Sequence, residues 1–443
     1  MKGKLSKKIE LLAPAGSVEK MKYAFAYGAD AVYAGVPDFS LRARINDFDW
    51  NSLKNGVEYA HKLGKKFYVT LNIYAHNVHL KKLEEDLEKL KEVNSDAVLI
   101  SDPGVLEIIK EKLPKVEIHL STQANATNWR AVKFWADQKI TRVVLAREVT
   151  LDEIKEIKKN VPNVELEYFV HGAMCMSYSG RCMLSKWMRG RSANLGDCVQ
   201  PCRWAYNDAN QRINANLQIA NSDEEVKTMN VVDHQGEFEM EVEQDKQGTY
   251  FFNSKDLNLI EHSQSLADAG VESFKIEGRN KSVYYLAVVV RAYRNVLDAT
   301  GKENYKKVLK QEKENLDSLF HRGYTQGFLL GEEPEHNFKN SHDMPKYEFV
   351  GEITNDAKQR INANPRIAND ACLIGVRVHN AIYLDDEVEI IDKNGNHKVK
   401  LEKIFNENME EVQSAHGGHG KNYFLQVDRK NIQPMSLIRK VVK

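Results

Sequence analysis

Long apolar runs are absent from this chain: nothing approaches the ~18 consecutive apolar residues that would announce a membrane-spanning helix. The opening MKGKLSKK is basic, yet the IELLAPAG that follows is too short and too interrupted for a secretion signal. An excess of either charge is also missing. Lys and Arg number 63 and Asp and Glu number 63, so a hold on nucleic acid must come from a local patch and not from a global field. Neither the H-E-x-x-H helix of zinc proteases nor the G-x-S-x-G elbow of serine hydrolases occurs. These absences predict a soluble, cytoplasmic protein. They also leave a peptidase without an evident nucleophile or metal-bound water.

Cysteine is scarce, but it has a pattern. Cys175, Cys182, Cys198 and Cys202 fall within 28 residues, separated by six, fifteen and three positions, and only Cys372 lies elsewhere. Three readings compete. Disulfides fit poorly with a reducing compartment. A structural zinc prefers short C-x2-4-C knuckles, which only the last pair approaches. An iron–sulfur cluster takes thiolates from irregular loops and tolerates wide spacing. Gly172, Gly180, Gly190 and Gly196 favour the third reading, because a chain wrapped around a bulky inorganic core needs backbone angles open to glycine. A nucleophilic Cys175–His171 pair would leave three clustered thiols without a role.

Around this segment, short apolar runs alternate with amphipathic stretches. Strands are predicted at 9–13, 30–35, 66–72, 96–101, 116–121, 142–147 and 164–170, with helices such as 49–63 and 80–93 between them. Their continuous Val, Ile and Leu content argues for a parallel sheet covered by helices. An eighth unit, SFKIE (273–277) and a helix over 284–297, comes after an interruption and is preceded by a helix near 256–269. Eight units close a TIM-like (β/α)8 barrel more naturally than an open doubly wound sheet, the competing architecture. The predicted catalytic barrel spans 1–330, with a cluster-binding loop at 171–206 and an insertion at 207–250.

In such a barrel the active site lies at the C-terminal strand ends, where the cysteine segment begins. Candidate catalytic groups there are His171, Gln123, Arg147, Glu148, Lys275 and Glu277; Asn125 ends the same stretch as Gln123. Candidate substrate-binding groups are Asn72, Arg181, Arg189, Arg191, Arg203 and Arg279. Blander readings stand beside these: Arg147 and Glu148 as a rim ion pair, His171 as a loop hydrogen-bonding group. The loop sets its arginines and Lys186 against one acid, Asp197, and interleaves Tyr178, Trp187, Trp204 and Tyr206. Arginines grip phosphate or carboxylate, and aromatics stack splayed bases. Alternatively, both offset and shield the thiolates.

The run Glu167-x-Phe169-x-x-Gly172-Ala173-Met174-Cys175-x4-Gly180-x-Cys182-x-Leu184-Ser185 resembles the signature of the peptidase U32 family, and Cys198 with Cys202 completes its four-cysteine pattern. The resemblance extends through LLAPAG (11–16), DAVYAG (30–35), VTLN (69–72), STQAN (121–125) and FKIEGR (274–279). It implies a 4Fe-4S cluster on the four cysteines and a hydroxylase of RNA or quinone, despite the family's name. Members with one such domain and a small C-terminal module are expected to 5-hydroxylate the wobble uridine of tRNA, with prephenate, a small dicarboxylate, as co-substrate. A peptidase and a zinc-bearing RNA-binding scaffold are the competing functions.

The rest of the chain is less telling. EFEMEVEQ (237–244) predicts a β-hairpin within the insertion, and 300–330 reads as a charged helix. NDANQRINANLQIAN (207–221) nearly repeats at 355–369, with twelve of fifteen positions identical. Copies starting 148 residues apart do not make a repeat fold, and both read as exposed loop. Within 331–443, short alternating runs and the Asn394-Gly395 turn predict a small antiparallel β-barrel module. His416 and His419 among glycines read as loop and not as metal ligands.

Overall fold

The computed structural model describes residues 8–40, 47–175, 177–204, 227–232, 239–245, 248–249, 254–337, 345–354, 372–418, 422–429, 431–433 and 435–442. Both near-repeats, Tyr206 and His419 lie outside them. Eight parallel strands form the main body: β1 (Glu10–Pro14), β2 (Ala31–Gly35), β3 (Lys66–Leu71), β4 (Ala97–Ile100), β5 (Glu117–Leu120), β6 (Arg142–Val144), β7 (Glu165–Ala173) and β8 (Val271–Ile276). Each pairs with its neighbour, and β8 pairs with both β7 and β1, so the sheet closes into a TIM-like barrel.

Six helices cover the first six crossovers: α1 (Val18–Ala26), α2 (Trp50–Lys62), α3 (Asn77–Val93), α4 (Pro103–Lys112), α5 (Trp129–Asp137) and α6 (Leu151–Asn160). Their starts follow from capping chemistry. Asp49 with Ser52, and Thr150 with Glu153, form reciprocal boxes, while Asp102 and Asn128 each accept one amide hydrogen bond. The cysteine segment carries the short α7 (Leu184–Arg189).

Two predicted elements are different: the 300–330 stretch is helical only over Tyr305–Asp317, and its Tyr324–Thr325 forms a short strand parallel to Asp256–Leu257. The stretch near 256–269 was expected to be wholly helical, but Asp256–Asn258 forms a strand antiparallel to the end of β7, pairing Asp256 with Ala173 and Asn258 with His171. The cause is the length of β7: it runs three residues past 170, and its backbone groups need a partner there. Helix α8 (Ser263–Asp268) follows, then α9 (Val283–Ala299) and α10 (Tyr305–Asp317). In the insertion, Lys227–Val232 pairs antiparallel with Glu239–Asp245, giving the expected hairpin.

The C-terminal module is antiparallel: β9 (Tyr347–Thr354), β10 (Cys372–Val378), β11 (Val388–Asp392), β12 (Gly395–Val399), β13 (Leu401–Phe405), β14 (Asn422–Val427) and β15 (Leu437–Val441). They form a half-barrel sheet in the order β12-β11-β15-β9-β10-β14-β13, extended by Glu411–Val412. The module seats on α9, which explains why that helix is apolar almost all round. Arg291, fully buried on α9, donates to the Asp392 carbonyl at 2.9 Å and to Asn396 Oδ1 at 2.7 Å. Arg439 answers from the module side, pairing with Glu389 at 2.7 Å and donating to the Tyr284 hydroxyl at 3.3 Å. Tyr27 of α1 donates to the Ile391 carbonyl at 2.9 Å. Among the described residues no helix is long and apolar enough to cross a membrane.

Candidate active site

Inside the barrel, charge replaces part of the usual aliphatic filling. Glu167 on β7 is 0% exposed and accepts from Lys275 Nζ of β8 at 2.7 Å and from Arg142 of β6 at 3.2 Å. Arg142 also reaches Glu10 at 2.5 Å and Glu165 at 2.7 Å, and Tyr68 donates to Glu10 at 2.7 Å. Burial alone would raise the Glu167 carboxyl, but Lys275 and Arg142 hold it below the ordinary range. The network lies beneath the barrel mouth.

Above it opens a small recess of about 130 Å³. Asn72, Gln123, Arg147, Lys275, Glu277 and Arg279 line it from the strand ends, and Cys175 and Cys198 line it from the loop. Asn72 donates to Ser121 Oγ at 3.0 Å and to Gln123 Oε1 at 3.1 Å, which leaves the Gln123 amide nitrogen facing Gly180 of the loop. Lys275 Nζ stands 4.1 Å from the centre of the Tyr33 ring, and Arg279 donates to Ser40 Oγ at 2.8 Å. Gly16 and Gly35 explain two of the sequence motifs: a Cβ on either would collide, on Gly16 with the Arg279 carbonyl and on Gly35 with Ser40 at 2.7 Å.

Arg147 carries the clearest binding signal. Its guanidinium lies 3.8 Å from the centre of the Phe169 ring, and it has no carboxylate partner among the described residues. The rim pair with Glu148 does not form. Glu148 instead accepts from the Ser179 amide at 2.7 Å and its hydroxyl at 3.3 Å, while Asn125 takes the same hydroxyl at 2.6 Å. Together they hold Ser179 at φ +48°, a left-handed angle uncommon outside glycine, and so pin the loop over the mouth.

The loop arginines divide their work. Arg181 donates to the Gln123 carbonyl at 2.8 Å at the rim. Arg191 pairs with Asp197 at 2.6 Å, Arg203 donates to Gln200 Oε1 at 2.6 Å, and Arg189 stacks 5.0 Å from the centre of the Trp204 ring. These three knit the loop and do not line the recess.

His171 is the correction. The structure places it within β7 and not in a loop, 1% exposed, with its ring among Tyr285, Tyr293 and Tyr324 on the α9 side of the sheet. Strict alternation would set it on the Glu167 and Phe169 face, but the β7–β8 register shifts between Phe169 and His171, which stand opposite Lys275 and Ile276, and so turns it away from the recess; no hydrogen bond joins it to Cys175. Burial drives its pKa down to about 3. Glu167, Arg142, Glu10 and Tyr33 were missed as site residues. For the three charged residues the signal was available: Glu10, Arg142 and Glu167 are charges set inside otherwise apolar strand runs.

All five cysteines are free. Burial pushes the Cys202 thiol up; Arg203 pulls it down, while Cys175, Cys198 and Cys182 push it up further, so the four thiols share one electrostatic neighbourhood. The Leu184 amide donates to Cys182 Sγ at 3.4 Å and the Gln200 amide to Cys198 Sγ at 3.4 Å. Among the described residues no three His, Cys, Asp or Glu side chains stand at metal-ligating spacing. Four sulfurs on one loop, amide hydrogen bonds to two of them and arginines around the set are the features a thiolate-held group would use.

The family model for Peptidase family U32 matches residues 16–339, and that for the U32 C-terminal domain matches 345–439. The chain belongs to peptidase family U32. Among U32-related proteins, the tRNA hydroxylation protein P of Haemophilus influenzae is 41% identical over 98% of this chain and 97% of its own length. The tRNA hydroxylation protein P of Escherichia coli is 41% identical over 93% and 92%. The 23S rRNA 5-hydroxycytidine C2501 synthase of Escherichia coli is 33% identical over 81% of this chain and 50% of its own length.

Proposed function

We propose that this U32 protein is an RNA hydroxylase that installs a hydroxyl group at C5 of the tRNA wobble uridine, with a small dicarboxylate, prephenate, as co-substrate. The names of the relatives support RNA hydroxylation, in tRNA for two and at a pyrimidine C5 of ribosomal RNA for the third. The observation that carries the reading is Arg147, a guanidinium with no carboxylate partner among the described residues, in a recess that also presents Lys275 and Arg279. A planar fork over Phe169 suits one carboxylate bidentately, and Arg279 suits a second.

Cys175, Cys182, Cys198 and Cys202 would hold the iron–sulfur cluster. When bound, it would supply one-electron chemistry beside the recess. The chain's own residues bind and orient. Gln123 presents its amide to the recess, Glu277 accepts from the Ala173 amide at 3.4 Å and so fixes the wall beneath Cys175, and the loop limits access of water. Peptidase chemistry has no such support, since the Cys175–His171 pair does not form.

The test is mass spectrometry of tRNA nucleosides from a deletion strain complemented with wild type or with Arg147→Met. Derivatives of 5-hydroxyuridine are expected to disappear on deletion and to return with wild type only. Unchanged nucleosides in the deletion strain would overturn the reading.

A further inference from the structure

The cysteine loop has an outer face that the recess chemistry does not use. On α7, Trp187 is 82% exposed and Met183, one turn earlier, is 66% exposed. Spacing of i and i+4 sets them on one side of the helix, while Ser185 on the other side is buried. Tyr178 adds a third exposed aromatic or apolar side chain to the same loop. An indole this open shields nothing within the protein. Trp204, half-buried under the Arg189 guanidinium, performs that service.

Charge surrounds this apolar surface with one sign. Residues 177–204 contain five cations, Arg181, Lys186, Arg189, Arg191 and Arg203, and one acid, Asp197. Asp197 is already paired with Arg191, and Arg181, Lys186 and Arg189 are exposed. Gly180 and Ala193, on either side of α7 in the chain, line the recess, so the exposed face borders the mouth.

We propose that this face of α7 is a stacking platform for unpaired bases of single-stranded RNA. The inference rests on the RNA-hydroxylase reading and specifies where that RNA docks. Indole faces stack bases without regard to sequence, and the flanking cations take the phosphates. A second copy of the chain would set like charges against each other across such a patch. An anionic membrane would find a helix of six residues, too short to embed.

The experiment measures anisotropy of a labelled RNA stem-loop with an unpaired uridine-containing loop, against a fully paired duplex of equal length, using the full-length protein. Trp187→Ala is expected to weaken stem-loop binding about tenfold and to leave duplex binding unchanged. Trp187→Phe should restore most of the affinity, and prephenate binding, read by thermal shift, should stay as in wild type. An unchanged stem-loop affinity in Trp187→Ala would overturn the platform, as would an equal loss on the duplex. Altered sedimentation of the free protein, or lost binding to phosphatidylglycerol vesicles, would assign the face to another partner. If Trp187→Ala fails on RNA while the deletion strain keeps its 5-hydroxyuridine, the platform stands and the tRNA reading falls. If Trp187→Ala binds normally while Arg147→Met abolishes hydroxylation, only the platform falls.

Discussion

Lys275 donates to Glu167 at 2.7 Å in the interior of the barrel, where Glu167 has no exposure to solvent. The pair joins two parts of the molecule that the sequence keeps 108 residues apart. It also sets the charge at the floor of the recess. Arg142 shares the same carboxylate and also pairs with Glu10 and Glu165, whereas Lys275 has Glu167 as its one ion-pair partner among the described residues.

Replacing Glu167 with Gln should therefore be costly. It would leave Lys275 without its carboxylate in a buried site, while Arg142 keeps Glu10 and Glu165, and breaking one side of a buried pair costs about 3–5 kcal/mol. Urea unfolding at unchanged m-value measures the loss. A drop under ~1 kcal/mol would show that water or a rearranged Glu10 takes over the role.

The second prediction concerns acid. His171 has an ordinary value of 6.5 lowered to about 3 by burial, so the folded state binds fewer protons than the unfolded chain between those values. Stability is full above pH 6.5 and falls as the pH drops, by up to ~1.4 kcal/mol per pH unit. Glu167, also depressed, adds a loss of the same sign below its ordinary 4.5. In His171→Gln the slope between pH 6 and 5, roughly within that window, should flatten even if the variant is less stable overall. An unchanged slope would remove His171 as its source.

Backbone geometry supplies the third. Gly172 sits at φ +113°, and a Cβ there would meet the Glu277 carbonyl oxygen at 2.6 Å and the Glu277 Cβ at 2.8 Å. Gly172→Ala should lose at least ~2 kcal/mol of stability and shift Glu277 in the wall of the recess. The expected signature is a lower melting temperature together with weaker prephenate binding. Loss of stability with binding intact would confine the effect to the strand.

The fourth removes a thiol. Cys198→Ala should abolish the visible absorption of anaerobically purified protein, along with its acid-labile sulfide. Stoichiometric zinc and no colour in the wild type would instead assign the four sulfurs to a structural metal site.

Much of this architecture was readable before any coordinates. The eight parallel strands stood out because continuous Val, Ile and Leu runs have to be covered on both faces, and strand ends define where a barrel works. The recess residues Asn72, Gln123, Lys275, Glu277 and Arg279 followed from that rule. His171 did not, because the register shift between Phe169 and His171 in the β7–β8 pairing, which no residue pattern announces, decides whether its side chain faces the mouth or α9. Arg147 and Glu148 were placed at a strand end as candidate catalytic groups; the blander alternative, a rim ion pair, does not form, since sequence proximity carries no information about the Ser179 backbone that Glu148 serves. Glu167 and Arg142 were passed over because a charge inside a strand reads as a break in a pattern until its partner on another strand is known.

The seat of the C-terminal module on α9 has a bearing on how substrates are measured. Its side chains Ile391 and Leu437 belong to the same apolar core as the barrel, and Arg291 and Arg439 cross the seam in opposite directions. A joint fixed in that way acts as a rigid gauge: any ligand that touches both halves must match one set span, with no hinge to forgive a longer or shorter one. Cutting the chain between the halves would leave Arg291 without its acceptors and strip one flank of the helix bare, so the barrel on its own is expected to precipitate, not to serve as a simpler enzyme.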